Sequence, residues 1–300
     1  MKMLMTGASG FLGSIVYKIL DKLNYDITTV GISDTDNIYC NLSTTVPKFD
    51  ENFDCVIHMA GKAHSFAKGS KESSDFFRVN LGGTINLLKS LEQSNKLPIS
   101  FVFISSVAVY GKISGENIKE NHPLNGTDPY ALSKIQAEHY LERWCSKNKV
   151  KLGVLRPSLI AGKNPPGNLG AMINGIEEGK YFRIGQGSAR KSILMAEDIA
   201  ILISKVIEKG GIFNVCDDNH PSFAELEETI AKQLNKKAPG SIPYIVAKCA
   251  ALVGDLLGNN FPINSNKLKK ITTSLTFSNE RAKQELDWKP LDVLENFQIK

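Results

Sequence analysis

The sequence predicts an α/β fold, a doubly wound parallel sheet carrying a smaller C-terminal lobe. Three observations predict it. Strand-like and helix-like stretches alternate through the first half, a glycine-rich turn joins the first strand to the first helix, and the alternation loosens after Arg156-Pro157. Such alternation builds βαβ units, whose crossover helices cover both faces of a parallel sheet.

Each element has its own signal. Lys2 to Met5 is a short apolar strand, and Gly10 to Leu23 has amphipathic helical spacing. Asp26 to Ile32 is rich in β-branched residues, which suit a pleated surface, and Cys55 to Met59 is another short apolar run. Asp75 to Ser94 sets Phe76, Val79, Ile85, Leu87 and Leu88 at helical spacing. The strand Ser100 to Ser105, a helix from Pro129 to Lys147 and the strand Lys151 to Leu155 complete a first domain over residues 1–160. Glycines and prolines crowd residues 162–170, opening a second lobe over 161–300 that is partly interleaved with the first. There Glu197 to Lys209 reads as helix, Gly211 to Val215 as strand, and Ser222-x-x-Glu225 as a capping box opening a helix to Lys236.

Composition narrows the function classes. At 42% hydrophobic and 22% charged, the 300 residues fit an ordinary soluble globular protein. The net charge of +5 suits an anionic small molecule. No basic run is dense enough for nucleic acid; Lys267, Lys269 and Lys270, the tightest cluster, read as a solvated helix face. The five cysteines, Cys40, Cys55, Cys145, Cys216 and Cys249, form no Cys-x-x-Cys pair and read as buried thiols of a cytoplasmic protein. His58 reads as a packing residue. His64, His122, His139 and His220 lack metal-ligand spacing, so no metal is assigned. Met1 to Met5 runs straight into the glycine turn without a cleavable leader. The apolar run Ile242 to Leu257, broken by Lys248 and Asp255, is too short to span a bilayer. It is expected to be a buried helix, with membrane-surface contact as the alternative.

Thr6-Gly7-Ala8-Ser9-Gly10-Phe11-Leu12-Gly13 carries the first chemical signal. Gly7 permits a tight turn, Gly10 lets backbone approach a pyrophosphate, and Gly13 allows close helix–strand packing. The phosphates would sit at the positive helix N-terminus, where unpaired N–H groups point at them. In such dinucleotide folds an acidic residue at the end of the second strand holds the adenosine ribose. Here that position is Gly31, followed by Ile32, Ser33 and Asp34, which leaves NAD or NADP open.

Tyr130 and Lys134 stand four residues apart on one helix face. A phenol is a weak acid near neutrality, and a nearby ammonium favours its phenolate. The apolar strand Phe101 to Ile104 ends in Ser105 and Ser106, at the sheet edge where open α/β folds bind ligands. Four stretches, TGASGFLG at 6–13, HMAG at 58–61, SSVAVYG at 105–111 and YALSK at 130–134, together resemble the extended short-chain dehydrogenase/reductases that modify nucleotide sugars. So do DFFRVNLGGT at 75–84, Arg156-Pro157 and Leu286 to Pro290; the resemblance runs over nearly the whole chain.

The resemblance implies a Rossmann fold with a C-terminal substrate-binding lobe, a bound NAD or NADP and a nucleotide-sugar substrate. It implies Ser106, Tyr130 and Lys134 as the catalytic residues. Tyr130 would move the proton of a sugar hydroxyl, Ser106 would bind the same oxygen, and Lys134 would hold the nicotinamide ribose. Gly7, Gly10, Phe11, Leu12 and Gly13 would line the pyrophosphate, Asn41 would lie near the adenine, and Ala60 and Gly61 would contact the cofactor, with Asn80 as the family's structural asparagine. Asn168, Arg190 and Lys191 would meet the substrate diphosphate, a role for which cationic side chains are suited. Asp198 is read as a helix-start residue. The Asp-Glu pair of family dehydratases is replaced by Val107 and Ala108, which argues against water loss. The resemblance therefore points to a UDP-hexose or UDP-N-acetylhexosamine 4-epimerase. The alternatives are a reductase of a UDP-4-keto-6-deoxy-hexosamine and a non-catalytic binder, which would lack the tyrosine or lysine. It also implies a homodimer through the helices at 75–94 and 129–147.

Overall fold

The computed structural model describes residues 1–63, 70–257 and 263–299, so His64 lies outside the described residues. In chain order, β1 (Lys2–Thr6), α1 (Phe11–Lys22), β2 (Asp26–Gly31), β3 (Ile38–Tyr39) and β4 (Cys55–His58) open the fold. Next come α2 (Ser70–Phe76), a π-helical turn (Phe77–Gly82), α3 (Gly83–Glu92), β5 (Ser100–Ile104) and a 3-10 turn (Val107–Tyr110). β6 (Gly115–Ile118), α4 (Pro129–Asn148), β7 (Lys151–Pro157), β8 (Leu159–Ala161), α5 (Gly167–Glu177) and β9 (Arg183–Ile184) follow. β10 (Ile193–Met195), α6 (Ala196–Lys209), β11 (Gly211–Val215), α7 (Phe223–Gln233), β12 (Ser241–Ile242) and α8 (Tyr244–Leu257) come after them. α9 (Ser265–Thr272), β13 (Leu275–Phe277), α10 (Glu280–Leu286) and α11 (Val293–Asn296) end the chain.

Seven strands form one parallel sheet in the order β11-β7-β5-β4-β1-β2-β3. Side chains alternate between its faces, and both faces are buried, which is why these strands read as short apolar runs. Met3, Met5, Ile57 and Val102 face α1 and α6. Leu4, Val56, Phe101 and Phe103 face the layer of α3 and α4, where Leu87, Leu88, Leu141 and Trp144 pack. The order reverses between β1 and β4, and the crevice beyond their carboxyl ends is where a doubly wound sheet binds its ligand. β11, from beyond residue 160, forms one edge of this sheet, and three two-stranded pairs, β8–β10, β9–β12 and β6–β13, tie later segments together.

Three expectations change. The helix read over 75–94 spans 70–92 and is interrupted by the π-helical turn. The run at 242–257 is not buried. In α8 the small residues Ala247, Ala251 and Gly254 face the protein, whereas Ile245 is 75% and Leu256 is 88% exposed. Cys249 is likewise exposed, unlike the other four cysteines.

Candidate active site

The Gly7 turn closes against the end of β4. Gly7 has φ +76, and a Cβ there would stand 2.6 Å from Ala60 N, so only glycine fits. Gly13 packs so closely under the Gly7 carbonyl that a Cβ would collide with it. Gly10 occupies the N-cap of α1 without a side-chain cap, and no acidic residue sits in the first turn. The first N–H groups of α1 therefore keep their capacity to bind an anion beside the switch point. Phe11 and Leu12 begin the same turn of helix.

A hydrogen-bonded chain runs behind this cradle. Ala60 N donates to Thr6 Oγ1 at 3.1 Å, Thr6 pairs with His58 Nδ1 at 2.6 Å, and His58 Nε2 pairs with Thr84 Oγ1 at 2.9 Å. Thr84 donates to the Asn80 carbonyl at 2.6 Å, which assigns the proton of a neutral His58 to Nε2. Burial, with repulsion from Lys134 added, pushes the His58 imidazole down to about 3. It is a structural link and not a base. Asn80, in the π-helical turn, accepts from Lys62 N at 2.7 Å and donates to Ser133 Oγ at 2.8 Å. Its side chain and the Lys134 ammonium both border Gly61, where a Cβ would lie 3.0 and 3.3 Å from them.

The catalytic candidates come from two elements. Asp128 caps α4 by accepting from Ala131 N at 3.0 Å, and Pro129 occupies the first turn, so Tyr130 and Lys134 lie one turn apart near the helix start. Lys134 Nζ donates to the Ile104 carbonyl at 2.9 Å and lies 4.7 Å from the Phe103 ring centroid. Burial lowers its ammonium to about 8, with Glu138 opposing. Ser106 follows β5 and caps the 3-10 turn by accepting from Ala108 N at 3.1 Å. Tyr130 is half-buried against Phe76, ring centroids 6.0 Å apart. Burial raises its phenol and the adjacent Ser106 hydroxyl lowers it. The net direction is upward, opposite to that expected from Lys134 alone. Glu138, one turn beyond Lys134, accepts from Ser105 and from Arg156, anchoring the helix to two sheet strands.

The remaining sites are spread more widely. Asn41 is exposed, its Oδ1 accepting from Ser43 N at 3.1 Å. Asn168 is exposed in the first turn of α5. Arg190 is engaged with its own lobe, donating to the His220 carbonyl at 3.0 Å and pairing with Glu225 at 3.4 Å. Lys191 donates to the Thr273 carbonyl at 2.9 Å, and burial with the charge of Lys270 lowers its ammonium to about 8. Asp198 accepts from Trp288 Nε1 and Leu291 N, both at 3.1 Å, which joins α6 to the 286–290 segment. Among the described residues no group of three or more His, Cys, Asp or Glu could hold a metal ion.

One residue escaped the sequence reading. The Asp36 carboxylate folds back into the space where a Gly31 side chain would stand, with Oδ2 accepting from Ser33 N at 3.0 Å. A carboxylate thus occupies the end of β2 after all, supplied from a turn five residues on. The absence of a side chain at Gly31 was the available signal.

A parallel sheet with a glycine cradle at its switch point and a buried lysine one turn beyond a tyrosine defines a dinucleotide-binding α/β protein. Residues 3–216 match the NAD dependent epimerase/dehydratase family, and the chain belongs to it. Over 294 residues it is 27% identical to N-acetyl-alpha-D-glucosaminyl-diphospho-ditrans,octacis-undecaprenol 4-epimerase of Escherichia coli O157:H7, covering 91% of this chain and 86% of that one. It is 26% identical to UDP-glucose 4-epimerase of Vibrio cholerae over 97% of this chain and 92% of the relative. The fold is shared with UDP-glucose 4-epimerase of Thermotoga maritima, solved with UDP-glucose, at TM-score 0.77 and 19% identity, covering 98% and 96% of the two chains.

Proposed function

We propose that this protein is a 4-epimerase of a hexose or N-acetylhexosamine carried on a diphosphate, UDP being the first carrier to test. The observation that carries the reading is Tyr130 adjoining Ser106 near the start of α4, with Lys134 one helical turn on and its ammonium bordering Gly61. The cradle fits a nicotinamide dinucleotide, because Gly7 and Gly13 let the turn close against Ala60 and the helix pack under the Gly7 carbonyl, and the α1 N-terminus is left uncapped by side chains. Gly7, Gly10, Phe11, Leu12 and Gly13 would hold its pyrophosphate, and Ala60, Gly61 and Lys134 its nicotinamide half. When bound, the nicotinamide supplies the acceptor and donor of hydride.

The chain's own residues handle the proton. Tyr130 takes the proton from the sugar 4-hydroxyl as the carbon is oxidised and returns it on reduction. Ser106 donates to the same oxygen and orients it. Lys134, held by the Ile104 carbonyl, presents positive charge that favours the phenolate in the step where it forms. Asp36 would favour NAD over NADP, since a carboxylate at the end of β2 would accept a ribose hydroxyl and repel a 2′-phosphate. Residues 161–300 supply the substrate lobe, with Lys191 and Asn168 facing the diphosphate. The E. coli relative acts on a sugar carried on a diphospho-undecaprenol, and Lys191 and Asn168 serve either carrier.

The test is mass spectrometry of nucleotide released from the purified protein, followed by incubation with UDP-glucose and UDP-N-acetylglucosamine. Stoichiometric NAD(H) and conversion of a UDP-sugar to its 4-epimer without net change in NADH absorbance are expected. Exchangeable NADPH consumed by a 4-keto sugar would make the protein a reductase and overturn the assignment.

A further inference from the structure

The helix that sequence patterning places in the core is turned inside out. α8 docks on the protein through Ala247 and Ala251, which pack with Leu268 of α9, and through Gly254. Its large apolar side chains point away: Ile245 is 75%, Val246 55%, Leu252 55%, Val253 48%, Leu256 88% and Leu257 63% exposed. At about 100° per residue these six fall on one arc opposite the docked stripe. Tyr244, Lys248 and Asp255 fall together on one flank of it. A helix of a soluble protein turns its apolar arc inward, and contiguous exposed apolar surface of this kind marks an interaction site.

We infer that α8 and α9 dock this protein on the surface of an anionic lipid bilayer. Charge complementarity selects that occupant. Across residues 244–272 there are four lysines, Lys248, Lys267, Lys269 and Lys270, and one aspartate, Asp255. That aspartate, exposed on α8, ties the two helices together by accepting from Ser265 N at 3.0 Å in the first turn of α9. Lys248 on α8 and Lys269 and Lys270 on α9 are exposed. An apolar face bordered by lysines is the pattern of a helix lying in the plane of the headgroups, apolar side chains buried among acyl chains and ammonium groups against lipid phosphates. The geometry is interfacial, since no helix among the described residues is long and apolar enough to cross a membrane.

The C-terminal end of α9 adjoins the substrate lobe's phosphate candidate. α9 runs into Thr273, whose carbonyl accepts from Lys191, and Lys270 is close enough to depress the Lys191 ammonium. Docking therefore brings Lys191 near the headgroup layer, where a lipid-borne sugar diphosphate presents its phosphates. That corollary rests on the function proposed above; the docking itself does not.

The test is co-sedimentation of the full chain with vesicles of mixed phosphatidylcholine and phosphatidylglycerol, a readout that needs no turnover. The wild type is expected to pellet with them, and less so with phosphatidylcholine alone or in high salt. The triple variant I245Q/L252Q/L256Q is expected to bind at least about tenfold more weakly while keeping its thermal midpoint, because all three side chains are exposed. The pair K248E/K269E provides a second variant and should lose binding to the anionic vesicles selectively. Wild-type protein left in the supernatant, or variants that bind as well as it does, would overturn the inference. So would a wild-type dimer that the triple variant converts to monomer, since a second copy would then cover the face.

Discussion

Glu138 and Arg156 form a two-point ion pair in the interior, with Arg156 Nε 3.1 Å and Nη2 2.6 Å from the Glu138 carboxylate. Both side chains are almost fully buried. Arg156 also donates to the Tyr110 hydroxyl at 3.0 Å, and Tyr110 donates to Asn214 at 2.6 Å. The network joins α4, which carries Tyr130 and Lys134, to β7 and β11. Arg156→Met would leave the Glu138 charge buried without its cation, only Ser105 still donating to it, and is expected to cost about 3–5 kcal/mol in urea unfolding. The double variant Glu138→Leu/Arg156→Met should recover a large part of that loss. A single variant as stable as wild type would show that the pair does not hold the helix.

The two residues at the start of α4 should separate in their effects. Tyr130→Phe keeps the ring against Phe76 and removes the proton carrier, so turnover should fall by about 10²–10⁴-fold with bound nucleotide retained. Lys134→Met should lose turnover and also release nucleotide on purification. Turnover surviving Tyr130→Phe would remove the phenol from the chemistry and leave a binding protein.

Legibility divides along a physical line. The sheet was readable because strands buried on both faces become short apolar runs such as Cys55 to His58, and the cradle was readable because Gly7 and Gly13 have no substitute at those contacts. The π-helical turn at Phe77–Gly82 was not, since a shift in hydrogen-bond register leaves no trace in composition. Asp36 was missed because a side chain can return to a strand end from a turn that pattern reading treats as loop. In α8, hydrophobicity announced a helix without saying which face meets the protein. The stripe of Ala247, Ala251 and Gly254 held that answer, because small residues let backbones approach closely.

Asp36 offers a direct handle on cofactor choice. Its carboxylate stands at the end of β2, where it would repel a 2′-phosphate. Asp36→Ser removes that charge, and the ratio of NADP to NAD dissociation constants is expected to move toward NADP by about tenfold or more, equivalent to about 1.4 kcal/mol. Titration of each nucleotide by protein fluorescence measures it. An unchanged ratio would mean that another group reads the ribose.

His58 and Asp198 make opposing contributions to acid stability. The His58 imidazole lies at about 3, below its ordinary 6.5, so the stability it supports is present above 6.5 and is lost as pH falls and the unfolded chain takes up the proton. Between pH 7 and 5 that loss is about 2 kcal/mol. Burial raises the Asp198 carboxyl to about 6 from 3.8, so its ionisation costs stability above that range, and acidification returns it. Over the same interval Asp198 returns about 1 kcal/mol, leaving a shallow net decline. His58→Gln, which can keep hydrogen bonds to Thr6 and Thr84, should make the decline shallower, whereas Asp198→Asn should steepen it. Urea unfolding at the two pH values measures all three slopes. A His58→Gln protein with the wild-type slope would show that the imidazole is not the group that titrates on unfolding.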